Sequence, residues 1–126
     1  MARFHDVPPI SREEATAAFA TGRGEAICAA LVAVTFHDPD WRWVQAHCLR
    51  LAQHRDDAVR AVAATCLGHL ARIHRALEAD VVLPVLRGLA KDPAVCGYAE
   101  DALDDVRQFL RPPAHVLPDS TGGGAR

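Results

Sequence analysis

Asp56-Asp57-Ala58-Val59-Arg60-Ala61-Val62-Ala63-Ala64-Thr65-Cys66-Leu67 decides the fold. An Asp at the N-cap position is followed by a long run of small and apolar residues that carries no turn signal, which predicts a helix from about 57 to 73. The same pattern stands earlier as Asp38-Pro39-Asp40-Trp41-Arg42-Trp43-Val44-Gln45-Ala46-His47-Cys48-Leu49. A weaker third copy follows as Asp92-Pro93-Ala94-Val95-Cys96-Gly97-Tyr98-Ala99-Glu100-Asp101-Ala102-Leu103. Repetition at whole-helix intervals predicts a stacked helical array, because each unit leaves an apolar face that only a neighbour can cover.

Working outward, Asp38 is the expected N-cap and Pro39 the first position of a helix to about Gln53. Asp92-Pro93 repeats that start for a helix to about Leu110. Upstream, Ser11 and Glu14 form a capping box for a short helix through Ala20. Thr21-Gly22-Arg23-Gly24 ends it. Glu25 to Phe36 is so continuously apolar that it reads as the central helix, covered on more than one face. Leu77 to Ala90 completes the set, with Pro84 either kinking it or moving its start to about Val82. Six helices with short connections and no convincing period-two alternation predict an all-α, right-handed array of three antiparallel helix pairs. Residues 1–10, with Pro8-Pro9, read as an extended lead-in, 11–111 as the helical domain and 112–126 as a disordered tail.

A chain of 126 residues fits one domain, and half its residues are apolar. Its net charge of −2 excludes bulk attraction to nucleic acid or anionic membrane, which needs concentrated Lys and Arg. The longest apolar run, Ala26 to Phe36, is shorter than the roughly 20 residues of a spanning helix. No apolar segment follows Arg3, so a secretory signal is not expected and the cytoplasm is. Cys28, Cys48 and Cys66 lie in apolar helical patterns, where a thiol behaves as a small hydrophobe, and all four cysteines are expected to be reduced.

Asp56-x-x-Val59-Arg60-x-x-Ala63-x-x-x-Leu67-Gly68 resembles the second half of a HEAT repeat, particularly the short bacterial and phycobilisome-lyase-type kind. The resemblance covers roughly residues 25–110. It implies that Asp56 caps the second helix, that Val59, Ala63 and Leu67 build the inter-helix core, and that Arg60 ties neighbouring turns together. The first copy departs from it with Trp41 for Val and Gln45 for Ala, the third with Cys96 for Arg and Asp104 for Gly. Terminal repeats diverge because they cap a stack. HEAT-like proteins mostly bind proteins and sometimes nucleic acids, and some small bacterial ones resemble immunity or regulatory partners. The resemblance thus implies a scaffold more than a reaction.

Two helical faces are candidates for partner binding. At about 100° per residue, Trp43, His47, Arg50 and His54 fall opposite the stripe of Trp41, Val44, Cys48, Leu51 and Ala52. An outward Trp among His and Arg has the composition of an interface anchor, while the bland reading covers Trp43 with the first helix or the lead-in. On the last helix Val95, Ala99, Ala102, Leu103 and Val106 make the core stripe. Glu100, Asp101 and Asp104 lie opposite, with Asp105 at the flank. Like charges four residues apart cost a few tenths of a kcal/mol, roughly, which a basic partner would offset. The bland reading is a solvated acidic face.

Chemistry is weakly signalled. Cys66-x-x-His69, with His47, Cys48 and His74 as candidates to fold beside it, raises a Zn²⁺ site, but Cys48 and Cys66 hold equivalent core positions. No feature lowers a thiol pKa or orients a Cys-His pair. Thr21-Gly22-Arg23-Gly24-Glu25 could offer amides to a phosphate but lacks the Walker spacing and its Lys. HEAT-like enzymes that excise alkylated bases use a basic groove, which the interleaved acidic residues here do not provide. The expectation is a non-catalytic protein-binding module without cofactor or metal, acting on a protein partner, with a basic toxin or effector domain as the sharpest candidate. The competing readings are an accessory subunit holding a cofactor, substrate or nucleic acid, and a homo-oligomer formed through the open end of the stack.

Overall fold

The computed structural model describes residues 7–110. Its six helices are α1 (Arg12–Ala20), α2 (Gly24–His37), α3 (Trp41–Leu51), α4 (Asp57–His74), α5 (Ala79–Leu89) and α6 (Cys96–Phe109). The described residues form no strand. Pairs α1/α2, α3/α4 and α5/α6 stack so that α2, α4 and α6 lie side by side in one layer. The expected tail at 112–126 lies outside the described residues, as do residues 1–6 of the lead-in.

The capping box of α1 forms as its sequence dictates: Glu14 N donates to Ser11 Oγ at 3.0 Å and Ser11 N to Glu14 Oε1 at 2.9 Å. Gly22, with φ 75°, makes the left-handed turn that ends this helix. Asp56 caps α4, accepting from Ala58 N at 2.9 Å. The cap of α3 is Asp40, which accepts from Trp43 N at 3.2 Å, and this corrects the expectation of Asp38. Asp38 is diverted by Arg12, whose guanidinium meets both of its carboxylate oxygens at 2.8 and 2.9 Å and so pins α1 to the α2–α3 connection. That bidentate pair holds the Asp38 carboxyl below its ordinary value.

The last helix also begins later than its Asp-Pro signal predicts. Asp92 accepts from Ala94 N at 3.0 Å and organises a turn, and α6 starts at Cys96 with Val95 as an uncapped N-cap. The other oxygen of Asp92 is taken by Arg60, so the carboxylate spans repeats instead of capping the helix.

The central helix is α4, not α2. It packs on α2, α3, α5 and α6 and buries ten residues, against six on α2. The reason is size: Ala61, Ala63, Ala64, Gly68 and Ala71 let neighbouring backbones come close on several sides, while the larger Ile27, Leu31 and Val34 of α2 fill the space beside them. Cys48 and Cys66 are both fully buried in this core, and burial, with Cys66 as the neighbouring thiol, raises the Cys48 pKa.

Pro84 stays inside α5, which runs unbroken from Ala79. The start at Ala79 is fixed by a residue two helices away. Buried Gln45 donates to Glu78 Oε1 at 2.7 Å and accepts from Glu78 N at 2.9 Å, a two-point clamp that anchors the first turn against the disruption of an interior Pro. Gln45 is one of the two departures of the first copy from the repeat pattern, and its reason is this clamp. Replacing it as Gln45→Leu removes both bonds and leaves the Glu78 amide unpaired. The expected cost is about 1–2 kcal/mol, read as a lower urea midpoint with unchanged slope.

Candidate protein-binding surface

Trp43 is half-buried between α1 and α3. The Arg12 guanidinium lies 4.6 Å from its ring centroid, and His47 packs edge-on at 4.5 Å. His47 also meets Phe19 at 4.9 Å and accepts from Arg50 Nη2 at Nδ1, 2.9 Å away. Burial, then the Arg50 charge, lowers the His47 pKa, so this imidazole is an internal acceptor. The residues Trp43, His47 and Arg50 are therefore brought together as a stacked seam that attaches α1. What remains open is a shallow groove where Trp43 meets Thr16, Ala17 and Ala20.

His54 is separated from that seam by its local duties. Its Nδ1 accepts from Asp56 N at 3.0 Å and its carbonyl from Arg60 Nη1 at 2.8 Å. It shapes the α3–α4 turn.

The four carboxylates of α6 are not one face. Glu100 and Asp104 are exposed, and Asp104 is paired with Arg107 at 2.8 Å toward the α5 side. Asp101 and Asp105 face the other way, toward α4 and α2, where they border a groove of about 530 Å³. Val32, Ala61, Val62, Thr65 and Ala102 make its largely apolar floor, and Tyr98 stands at its edge, 54% exposed. Partial burial raises the Asp105 pKa, helped by the charges of Asp101 and Asp104 and opposed by Arg72.

Sequence reasoning missed Tyr98, Val62 and Val32. The signal for Tyr98 was present, since 98, 101 and 105 share one stripe of a helix. Val32 and Val62 are separated by a whole helix in the chain and meet only because α2 and α4 are neighbours in the layer.

The chemical alternatives acquire definite positions. Among the described residues, no three His, Cys, Asp or Glu side chains converge as a metal site would require. At the start of α2, a Cβ on Gly24 would run into the Asp56 carboxylate, so the position offered to an anion is already faced by an acidic side chain. His69 is 7% exposed, stacked on Phe36 with ring centroids 5.1 Å apart, and bonded at Nδ1 by Arg72.

Burial, then the Arg72 charge, lowers the His69 pKa from 6.5 to about 4. The unfolded chain therefore binds the additional proton between those two values. Stability from this site is full above about pH 6.5 and declines as pH falls toward 4. A His69→Gln variant is expected to show a shallower loss of urea midpoint across that window than the parent. Equal slopes would remove His69 as its source.

No helix of the described residues is long and apolar enough to cross a membrane. Residues 44–74, spanning α3 and α4, match the family model of the HEAT repeat. No curated protein matches the chain. Among solved structures, a chain in the crystal structure of a CDI complex from Cupriavidus taiwanensis is 34% identical, with the alignment covering 86% of this chain and 96% of that one at a TM-score of 0.75. The repeat carried by α3 and α4, the three stacked pairs and this near full-length relative agree, and the chain belongs to the HEAT-repeat-like family.

Proposed function

We propose that the chain is a non-catalytic, immunity-type protein that binds a toxin or effector domain one-to-one in the cytoplasm and blocks it. The observation that carries this reading is the near full-length relative belonging to a CDI complex. The fold supports it physically. Three helix pairs give a rigid surface whose groove needs no ordering when a partner arrives, which limits the entropic cost of association. The candidate contacts are the acidic residues Glu100, Asp101, Asp104 and Asp105 and the seam of Trp43, His47 and Arg50, with His54 at its end. An acidic surface would steer a basic partner and cover a cationic active site.

The test begins with tagged protein recovered from its native cells and mass spectrometry of what accompanies it. One stoichiometric protein, whose expression alone arrests growth and whose co-expression with this chain restores it, is the expected result. A chain that returns alone, or a partner whose toxicity persists at excess of this chain, would refute the reading.

A further inference from the structure

The geometry points to the groove bordered by α2, α4 and α6 as the seat of a cationic, apolar-stemmed segment of the partner, with Asp101 and Asp105 receiving Lys or Arg heads and Val32, Val62 and Tyr98 receiving their stems. This rests on the functional reading above for the existence of a protein partner, and goes beyond it by choosing one surface and the chemistry that fits it.

Charge complementarity carries the choice. The α2 wall contains no Lys or Arg between Gly24 and His37. On α4 the basic residue nearest the groove floor in sequence is Arg60, and its guanidinium turns to the opposite side, to the His54 carbonyl and Asp92. Arg72 stands at one end, bonded to His69. Across the groove Asp101 and Asp105 lie one helical turn apart on α6; the charge of Arg72 reaches Asp105 from the end of the groove, but among the described residues neither carboxylate closes a hydrogen bond or ion pair. Asp105 is also half-buried beside Gly68 and Ala102. The walls are therefore negative and apolar, compensated by Arg72 at one end.

A long cationic side chain matches both properties, because its methylenes cover apolar surface while its head stays polar. Tyr98 adds an aromatic face for that head. The small floor residues Ala58, Ala61, Thr65 and Ala102 leave the depth such a side chain needs. By contrast, Asp104 is already paired with Arg107, and the Trp43 seam carries Arg12 and Arg50 of its own.

The full chain, isotope-labelled, would be titrated with a synthetic amphipathic helix of Leu and Lys and with its Leu and Glu counterpart. The Lys peptide is expected to shift the signals of Val32, Val62, Tyr98 and Asp101, and the Glu peptide to leave them in place. Asp101→Lys should weaken the Lys peptide about tenfold, while Asp104→Lys, an equal charge change outside the groove, should alter it less than about twofold. Shifts centred elsewhere, or equal losses in the two variants, would overturn the proposal. Both substitutions are at exposed positions, and circular dichroism of each variant would check that it folds.

The same variants belong in the one-to-one complex with the recovered partner. A partner that tolerates Asp101→Lys but is lost with Trp43→Ala would overturn the groove while leaving the immunity-type reading intact. If no one-to-one partner exists, the functional reading fails and the peptide titration alone decides whether the groove is a cationic seat.

Discussion

Gly68→Val is expected to lower the stability of the folded chain by about 3 kcal/mol, near the upper end of overpacking costs. The helices α4 and α6 touch at this glycine. A Cβ built there lies 2.9 Å from Asp105 Oδ2, 3.1 Å from Ala102 Cα and 3.3 Å from Ala102 Cβ. The carboxylate can swing aside, but the Ala102 backbone can retreat only if α6 moves as a body. Valine adds two further methyls and must open the seam, losing contacts along its length. Gly88 provides the contrast, because a Cβ there meets nothing within 4 Å. Gly88→Ala should therefore stabilise α5 by about 0.5–1 kcal/mol through helix propensity alone. Urea denaturation of the two variants reads both effects. A Gly68→Val protein as stable as the parent would disprove the close approach of α4 and α6.

Arg60→Met is expected to cost about 2–3 kcal/mol, since it removes charge-assisted hydrogen bonds whose acceptors belong to three segments. Arg60 Nη1 donates to the carbonyls of His54 at 2.8 Å and Arg55 at 3.1 Å, while Nη2 bonds Asp57 and reaches Asp92 at 3.1 Å. Its side chain is only 16% exposed, so these bonds are partly shielded from water and salt. Asp92 organises the turn before α6, and losing Arg60 frees that turn from the turn before α4. Arg60→Lys keeps the charge but not the planar fork that meets two carbonyls and two carboxylates together. It should recover less than half of the loss. A Lys variant equal to the parent would mean that charge alone ties the repeats.

These two contacts set the geometry of the groove. Gly68 fixes how near α6 lies to α4, and Arg60 fixes how the turn before α6 sits against the turn before α4. A variant that opens the Gly68 seam should also disturb the spacing between Val62 and Asp101. Loss of peptide binding in Gly68→Ala without global unfolding would connect the packing to the surface it builds.

The array was legible in the sequence because its signals are local. The Ser11–Glu14 box, the Asp56 cap and the stripe of Val95, Ala99, Ala102, Leu103 and Val106 each depend on neighbours within a turn or two, and the structure places all of them as that spacing requires. Chain position alone therefore determined six helices, their order and their pairing. It also determined that Arg60 would bridge turns, through the likeness to a HEAT repeat.

Where local signals competed with distant partners, the tertiary structure decided. Asp38 and Asp92 carry N-cap signatures, yet Arg12 and Arg60 engage their carboxylates from other helices, and α3 and α6 begin later. Gln45 stood out as a departure from the repeat until Glu78 arrived beside it. The acidic face of α6 divided in two because Asp104 turns toward Arg107 while Asp101 and Asp105 turn toward α4. Helical periodicity places a residue by its angle around one axis, whereas a charge's partners and a groove's walls are set by how separate axes pack.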